Sequence, residues 1–242
     1  MNQSIRSMKF FLPLITIATL AGAAQLVSAG DISGKITLKG TPKPEVVIDL
    51  GPACGKINPS KPSTRHYVVG KDGGLANVFV YLKDAKKAEP KGEAGTLDQV
   101  GCIYEPYVMG VLVGQPFKIK NSDSEMHNVH ATPNPALGNK EFNLAQPAGA
   151  PVLAKAFEKP EVLVRMKCDV HPWMFAYIGV VDHPYFAVTD KDGNFKISGV
   201  PDGKYTIEAF HQKTHVAAKT GIVKPIDVKG DTKQDFTVEL AQ

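Results

Sequence analysis

Cys168, His171 and Met174 lie in the stretch RMKCDVHPWM, residues 165–174, at Cys-x2-His-x2-Met spacing beside the chain's only tryptophan, Trp173. A further histidine, His127, stands about forty residues upstream. One thiolate and two imidazoles in a plane, with a thioether weakly off it, suit a single copper ion cycling between Cu(I) and Cu(II). The soft thiolate favours Cu(I), imidazole serves both states, and the thioether tunes the potential. A donor set that moves little between the two states exchanges electrons quickly.

The elements that position these residues read as strands. In EVLVRMKC, Val162, Val164, Met166 and Cys168 alternate with Leu163, Arg165 and Lys167, so period two sends the thiol to the apolar side. MHNVHA (126–131) follows the turn signal NSDS and ends a β-prone region that includes VLVGQPFKIKN (111–121). GKITLKG (34–40) alternates, and LANVFVYLKD (75–84) is strongly β-prone. Residues 133–160, rich in Pro, Ala, Gly and Asn, predict a long irregular excursion. The tail, from FAVTDKDGNFKISGVPDGKYTIEAFH (186–211) to Phe236, Val238 and Leu240, alternates between turn signals. The fold class expected is all-β.

Over residues 97–183 the sequence resembles the cupredoxins, and its ligand loop CDVHPWM is most similar to that of amicyanin, which also runs Cys-x-x-His-Pro-aromatic-Met. NSDSEMHNVH resembles the family's Asn-rich turn and upstream ligand histidine. The resemblance implies a Greek-key β-sandwich with one type 1 copper held by His127, Cys168, His171 and Met174. It also implies that His171 passes the electron near the surface, inside an apolar docking rim of Pro172, Trp173, Phe175 and Met126. Trp173→Ala is then expected to slow exchange with a partner while copper still binds. Asn128 matches the family's asparagine, but Asp169 stands where a Ser or Thr normally follows the ligand cysteine. A carboxylate beside the thiolate is expected to favour Cu(II) and lower the potential.

Other readings are weaker. His130, three residues from His127, falls on the opposite strand face. Structural zinc sites prefer paired cysteines, which are missing here. His211 and His215 have i, i+4 spacing but lack the glutamate of a helical zinc motif. TDKDGN lacks the later residues of a calcium loop.

Arg6 and Lys9 precede an apolar run ending in small residues at 27–29, which reads as a secretory signal peptide over 1–29. Without it, 26 basic residues face 24 acidic ones, a balance that argues for neither nucleic acid nor a membrane surface. Three cysteines in an oxidising compartment leave one unpaired. Cys54 and Cys102, with no histidine near either, are expected to pair and leave Cys168 for the metal.

Residues 184–242 resemble carboxypeptidase regulatory-like, transthyretin-like domains through Thr189, Asp190, Gly193, Phe195, Pro201, Gly203, Tyr205, Thr206 and Ile207. That family's opening strand is matched only by 34–40, so the copper domain is expected to interrupt a smaller sandwich. The expected layout is a leader at 1–29, an N-terminal segment at 30–61, a copper domain at 62–183 and the smaller sandwich at 184–242. The expected role is one-electron transfer between periplasmic redox proteins, not catalysis and without membrane insertion after cleavage. The competing expectation is a non-redox copper-binding or structural module of the cell envelope. No additional His-x-His set supports a copper oxidase.

Overall fold

A computed structural model describes residues 1, 28–214 and 220–240. The expected leader falls almost wholly on residues 2–27, and His215 on residues 215–219, both outside the described residues. The chain runs β1 (Ala29–Lys39), α1 (Gly51–Ile57), β2 (Val78–Leu82), β3 (Thr96–Val100), β4 (Ile103–Glu105), β5 (Val108–Leu112), β6 (Phe117–Asn121) and β7 (His127–Thr132). It continues through β8 (Phe142–Gln146), β9 (Leu153–Lys155), β10 (Glu161–Lys167), β11 (Phe175–Val181) and β12 (Phe186–Val188). The last strands are β13 (Asn194–Pro201), β14 (Gly203–His211), β15 (Ile222–Val228), β16 (Thr232–Lys233) and β17 (Phe236–Glu239). No helix among the described residues is long and apolar enough to cross a membrane.

The strands form four sheets, and apolar side chains fill three interfaces between them. Sheet β4-β3-β6-β9 packs on sheet β5-β11-β10-β7-β8 through Leu97, Phe117, Ile119, Val129, Met166 and Ile178. Strand β6 shows why: Phe117, Ile119 and Asn121 point inward while Lys118 and Lys120 face water, the pattern of a half-buried strand. Each such aliphatic or aromatic side chain contributes about 1.5–3 kcal/mol on burial. The second sandwich joins sheet β12-β2-β14-β15 to β1, β13, β16 and β17, around Ile36, Val80, Ile197, Ile207 and Val238.

Strand β2 alternates between two cores. Val78, Val80 and Leu82 enter the second sandwich, while Phe79 faces Tyr107, Val108, Leu163 and Phe210 between the two sandwiches. A strand buried on both faces reads as a near-continuous apolar run. The boundary expected at residue 62 is therefore corrected: β2 pairs with β12 and β14, and the first sandwich begins only at β3. Strand β1 pairs antiparallel with β13 and parallel with β17. Segment 133–160 is also more regular than expected. Strand β8 continues the ladder beside β7, and β9 pairs with β6.

The face between sandwiches depends on two glycines opposite one another, Gly110 on β5 and Gly179 on β11. A Cβ on Gly179 would lie 2.5 Å from the Phe79 ring, and one on Gly110 would lie 2.1 Å from the Phe186 ring. The two phenylalanines stack at 5.6 Å and occupy the space that side chains would fill. Gly179→Val is expected to cost about 1–3 kcal/mol by overpacking. An unchanged urea midpoint would show that the sandwiches do not press together here.

Candidate metal centre

Strand β10 ends by delivering Cys168 into the core, 2% exposed, alongside Val164 and Met166. The inward parity of these residues is as period two requires, but Val162 departs from it. A bulge between Glu161 and Val164, with Leu163 at φ 62°, turns Val162 and Leu163 toward the other sandwich. The loop after Cys168 is closed by two backbone bonds, Cys168 N–H to Met174 O at 3.0 Å and Met174 N–H to His171 O at 2.9 Å. Met174 itself is buried in the same core.

His127, fully buried, begins β7 and faces this loop. Its Nδ1 lies 2.9 Å from Nδ1 of His171, which lies 3.8 Å from Sγ of Cys168. One donor atom from each of the three residues lies within 4.8 Å of the others, a fit for one small ion. Burial alone would raise the Cys168 thiol, but hydrogen bonding from His127 and from the backbone of Asn128, His171 and Val170 overrides it and brings the thiol below its ordinary value. Burial likewise opposes a charge on His127, yet Cys168 and Asp123 raise its value. His171 is lowered, first by burial and then by His127. A metal needs the thiolate and the uncharged imidazole, and the shifts of Cys168 and His171 lean toward those forms while that of His127 leans away.

Asp123 was not singled out from the sequence. Its Oδ2 lies 2.9 Å from Nε2 of His127 and accepts the Cys102 amide at 2.8 Å, while Oδ1 accepts the Gly101 amide at 2.6 Å. A carboxylate on Nε2 fixes the ring and leaves Nδ1 for a metal. Asn121 sets the turn that carries it, accepting the Asp123 amide at 3.0 Å and donating to Glu125 O and Gln146 O, each at 2.8 Å. The signal was present in NSDS: an Asx turn with an aspartate four residues before the histidine.

Asn128 ties β7 to the ligand loop. Its Oδ1 accepts the Asp169 amide at 2.8 Å, and its Nδ2 donates to Asp169 Oδ2 at 3.3 Å. The Asp169 carboxylate thus stands where a hydroxyl was expected, but it points outward. Asn143 donates to it at 2.8 Å, His130 Nδ1 lies 2.8 Å away, and Lys167 is paired with it at 2.8 Å. Lys167 foremost, with His130 and Asn143, holds its carboxyl well below the usual range. The Asp169 charge is thus matched locally by Lys167 rather than standing unpaired beside the sulfur. Asp169→Ser is expected to leave the potential nearly unchanged and to lower the melting temperature. A large rise in potential at unchanged melting would restore a direct electrostatic effect.

His130 lies outside the donor set, between Asp169 and Glu141. The expected docking rim does not form one surface. Trp173 is half-buried, 5.1 Å from the His171 ring, with its indole N–H given to Cys102 O at 3.0 Å. Phe175 instead faces the opposite side of its sheet, packed with Tyr107 and Tyr177 beneath Arg165. Pro172 is exposed, and the apolar side chains open to solvent on the ligand segments are Met126 (50%) and Val170 (51%). Cys54 and Cys102 form a disulfide whose Cys54 Sγ lies 3.6 Å from Nε2 of His171. His211 stacks on Tyr67, far in sequence from the donor set.

No family model and no curated protein matches the chain. Among solved structures it is similar to an amicyanin variant at 20% identity and TM-score 0.32, over 42% of this chain and 97% of that one. It is similar to a purple cupredoxin from Nitrosopumilus maritimus at 24% identity and TM-score 0.27, over 32% of this chain and 81% of that one. A copper-containing nitrite reductase from Thermus scotoductus matches at 24% identity and TM-score 0.32, over 40% of this chain. The chain spans 24% of that reductase's length.

Proposed function

We propose that the protein is an exported electron carrier holding one type 1 copper at His127, Cys168, His171 and Met174, and that it turns over no substrate of its own. The observation that supports this reading is the convergence of two imidazole Nδ1 atoms and the Cys168 sulfur at 2.9 and 3.8 Å, with His127 and Cys168 buried. Bound there, copper supplies a one-electron couple between Cu(I) and Cu(II). The chain's own residues do the rest. Asp123 orients His127, Asn128 holds the ligand loop, and the surrounding core keeps Cys168 dry. Such restraint keeps the donors in one arrangement for both oxidation states. In this reading the second sandwich is a non-catalytic, carboxypeptidase regulatory-like module, and the partners are periplasmic redox proteins that give and take single electrons. Copper-loaded protein is expected to absorb strongly near the red end of the visible and to bleach on mild reduction. A colourless copper complex would overturn the reading.

A further inference from the structure

The segment between β1 and β2 leaves the second sandwich, places α1 against the copper-side core through Leu50 and Cys54, and returns. A helix of seven residues is too short to hold itself together. What fixes it is the bond from Cys54 to Cys102, both almost fully buried. This bond reaches both histidines. With a metal held on Nδ1 of His171, beside Cys168 and His127, the ring proton would sit on Nε2, which lies 3.6 Å from Cys54 Sγ. A ligand histidine usually gives its second N–H to a carboxylate, a carbonyl or water. Here the atom nearest that nitrogen is a disulfide sulfur, which would take that place. On the other side, the Cys102 amide donates to the Asp123 oxygen that faces Nε2 of His127. The Cys102 carbonyl accepts the indole N–H of Trp173, whose ring lies against His171.

We propose that the Cys54–Cys102 disulfide is a positioning element of the metal centre: it covers the outer nitrogen of His171, fixes both imidazoles, and closes this side to small external ligands such as azide. The inference rests on the copper reading above and adds to it a group that contributes no donor atom. Removing the bond frees His171 to rotate and lets Asp123 shift with the Cys102 backbone. The test compares native protein with the C54S/C102S double variant, each loaded with Co(II). The folded variant is expected to bind Co(II) about 10- to 100-fold more weakly, and azide is expected to shift its thiolate-to-cobalt band while leaving the native band unmoved. A folded variant that matches the native protein in both respects overturns the proposal. If the variant does not fold, zinc-loaded native protein decides. A covered Nε2 proton on His171 exchanges slowly enough to give its own nuclear magnetic resonance signal, and exchange as fast as in free imidazole overturns the proposal. Failure of the electron-carrier reading shows separately, as a colourless copper complex of the native protein, and leaves the cobalt and zinc outcomes standing.

Discussion

Cys168→Ser is expected to abolish the colour of the copper-loaded protein while leaving its fold intact. Serine matches the cysteine in shape at a site 2% exposed, so the core around Val164 and Met166 loses little packing. The chemistry changes far more. A hydroxyl stays protonated in the environment that brings the Cys168 thiol below its ordinary value, so the one soft anion of the set is gone. Losing an outer partner of a ligand costs about 10- to 100-fold in metal affinity, and losing the thiolate itself is expected to exceed that. The measurements are the visible spectrum and a competition titration against a copper chelator. A variant that keeps an intense band would show that Cys168 is not the thiolate donor.

Asp123→Ala carries the second large effect, and it falls on stability and metal together. Its carboxylate is buried and faces three donors: the amides of Gly101 and Cys102, and Nε2 of His127. Breaking a buried charged arrangement from one side costs about 3–5 kcal/mol, because the abandoned partners stay out of water. The variant is expected to unfold at a clearly lower urea concentration and to bind copper about 10- to 100-fold more weakly. Asp123→Asn keeps the shape and restores part of both. Native affinity in a folded Asp123→Ala protein would mean that His127 is held by its packing alone.

The parts of this site that can be read from sequence are those set by local periodicity. Val164, Met166 and Cys168 share a face because the strand repeats every two residues, and that face is buried. Val162 escaped the same reading because a bulge breaks the repeat, and nothing in the types Val-Leu-Val announces it. Strand β2 was assigned to the wrong sandwich for a related reason. A strand buried on both faces has the same apolar pattern whichever sheet it joins, and only its pairing with β14 decides. Helix α1 left no periodic trace, since GPACGKI contains two glycines and a proline. Phe175 and Trp173 look alike in a ligand loop, yet one begins β11 and faces the neighbouring sandwich while the other stays beside His171. Side chains that depend on a distant segment for their surroundings are not legible from their own neighbours.

Strand β1 has a consequence for how the molecule is made. Lys35 gives its amide to Asp235, 200 residues further along, and Ile36 pairs with Phe236. During synthesis the first strand emerges long before the strands that complete its sheet, so it must wait unpaired. Such distant partners slow folding, because a long loop must close before any contact rewards it. The strands of the first sandwich, β3 to β11, lie between them and can assemble in the interval. A chain stopped short of residue 236 would then hold a formed first sandwich beside an open sheet edge, and quality control would meet that edge as a single exposed strand.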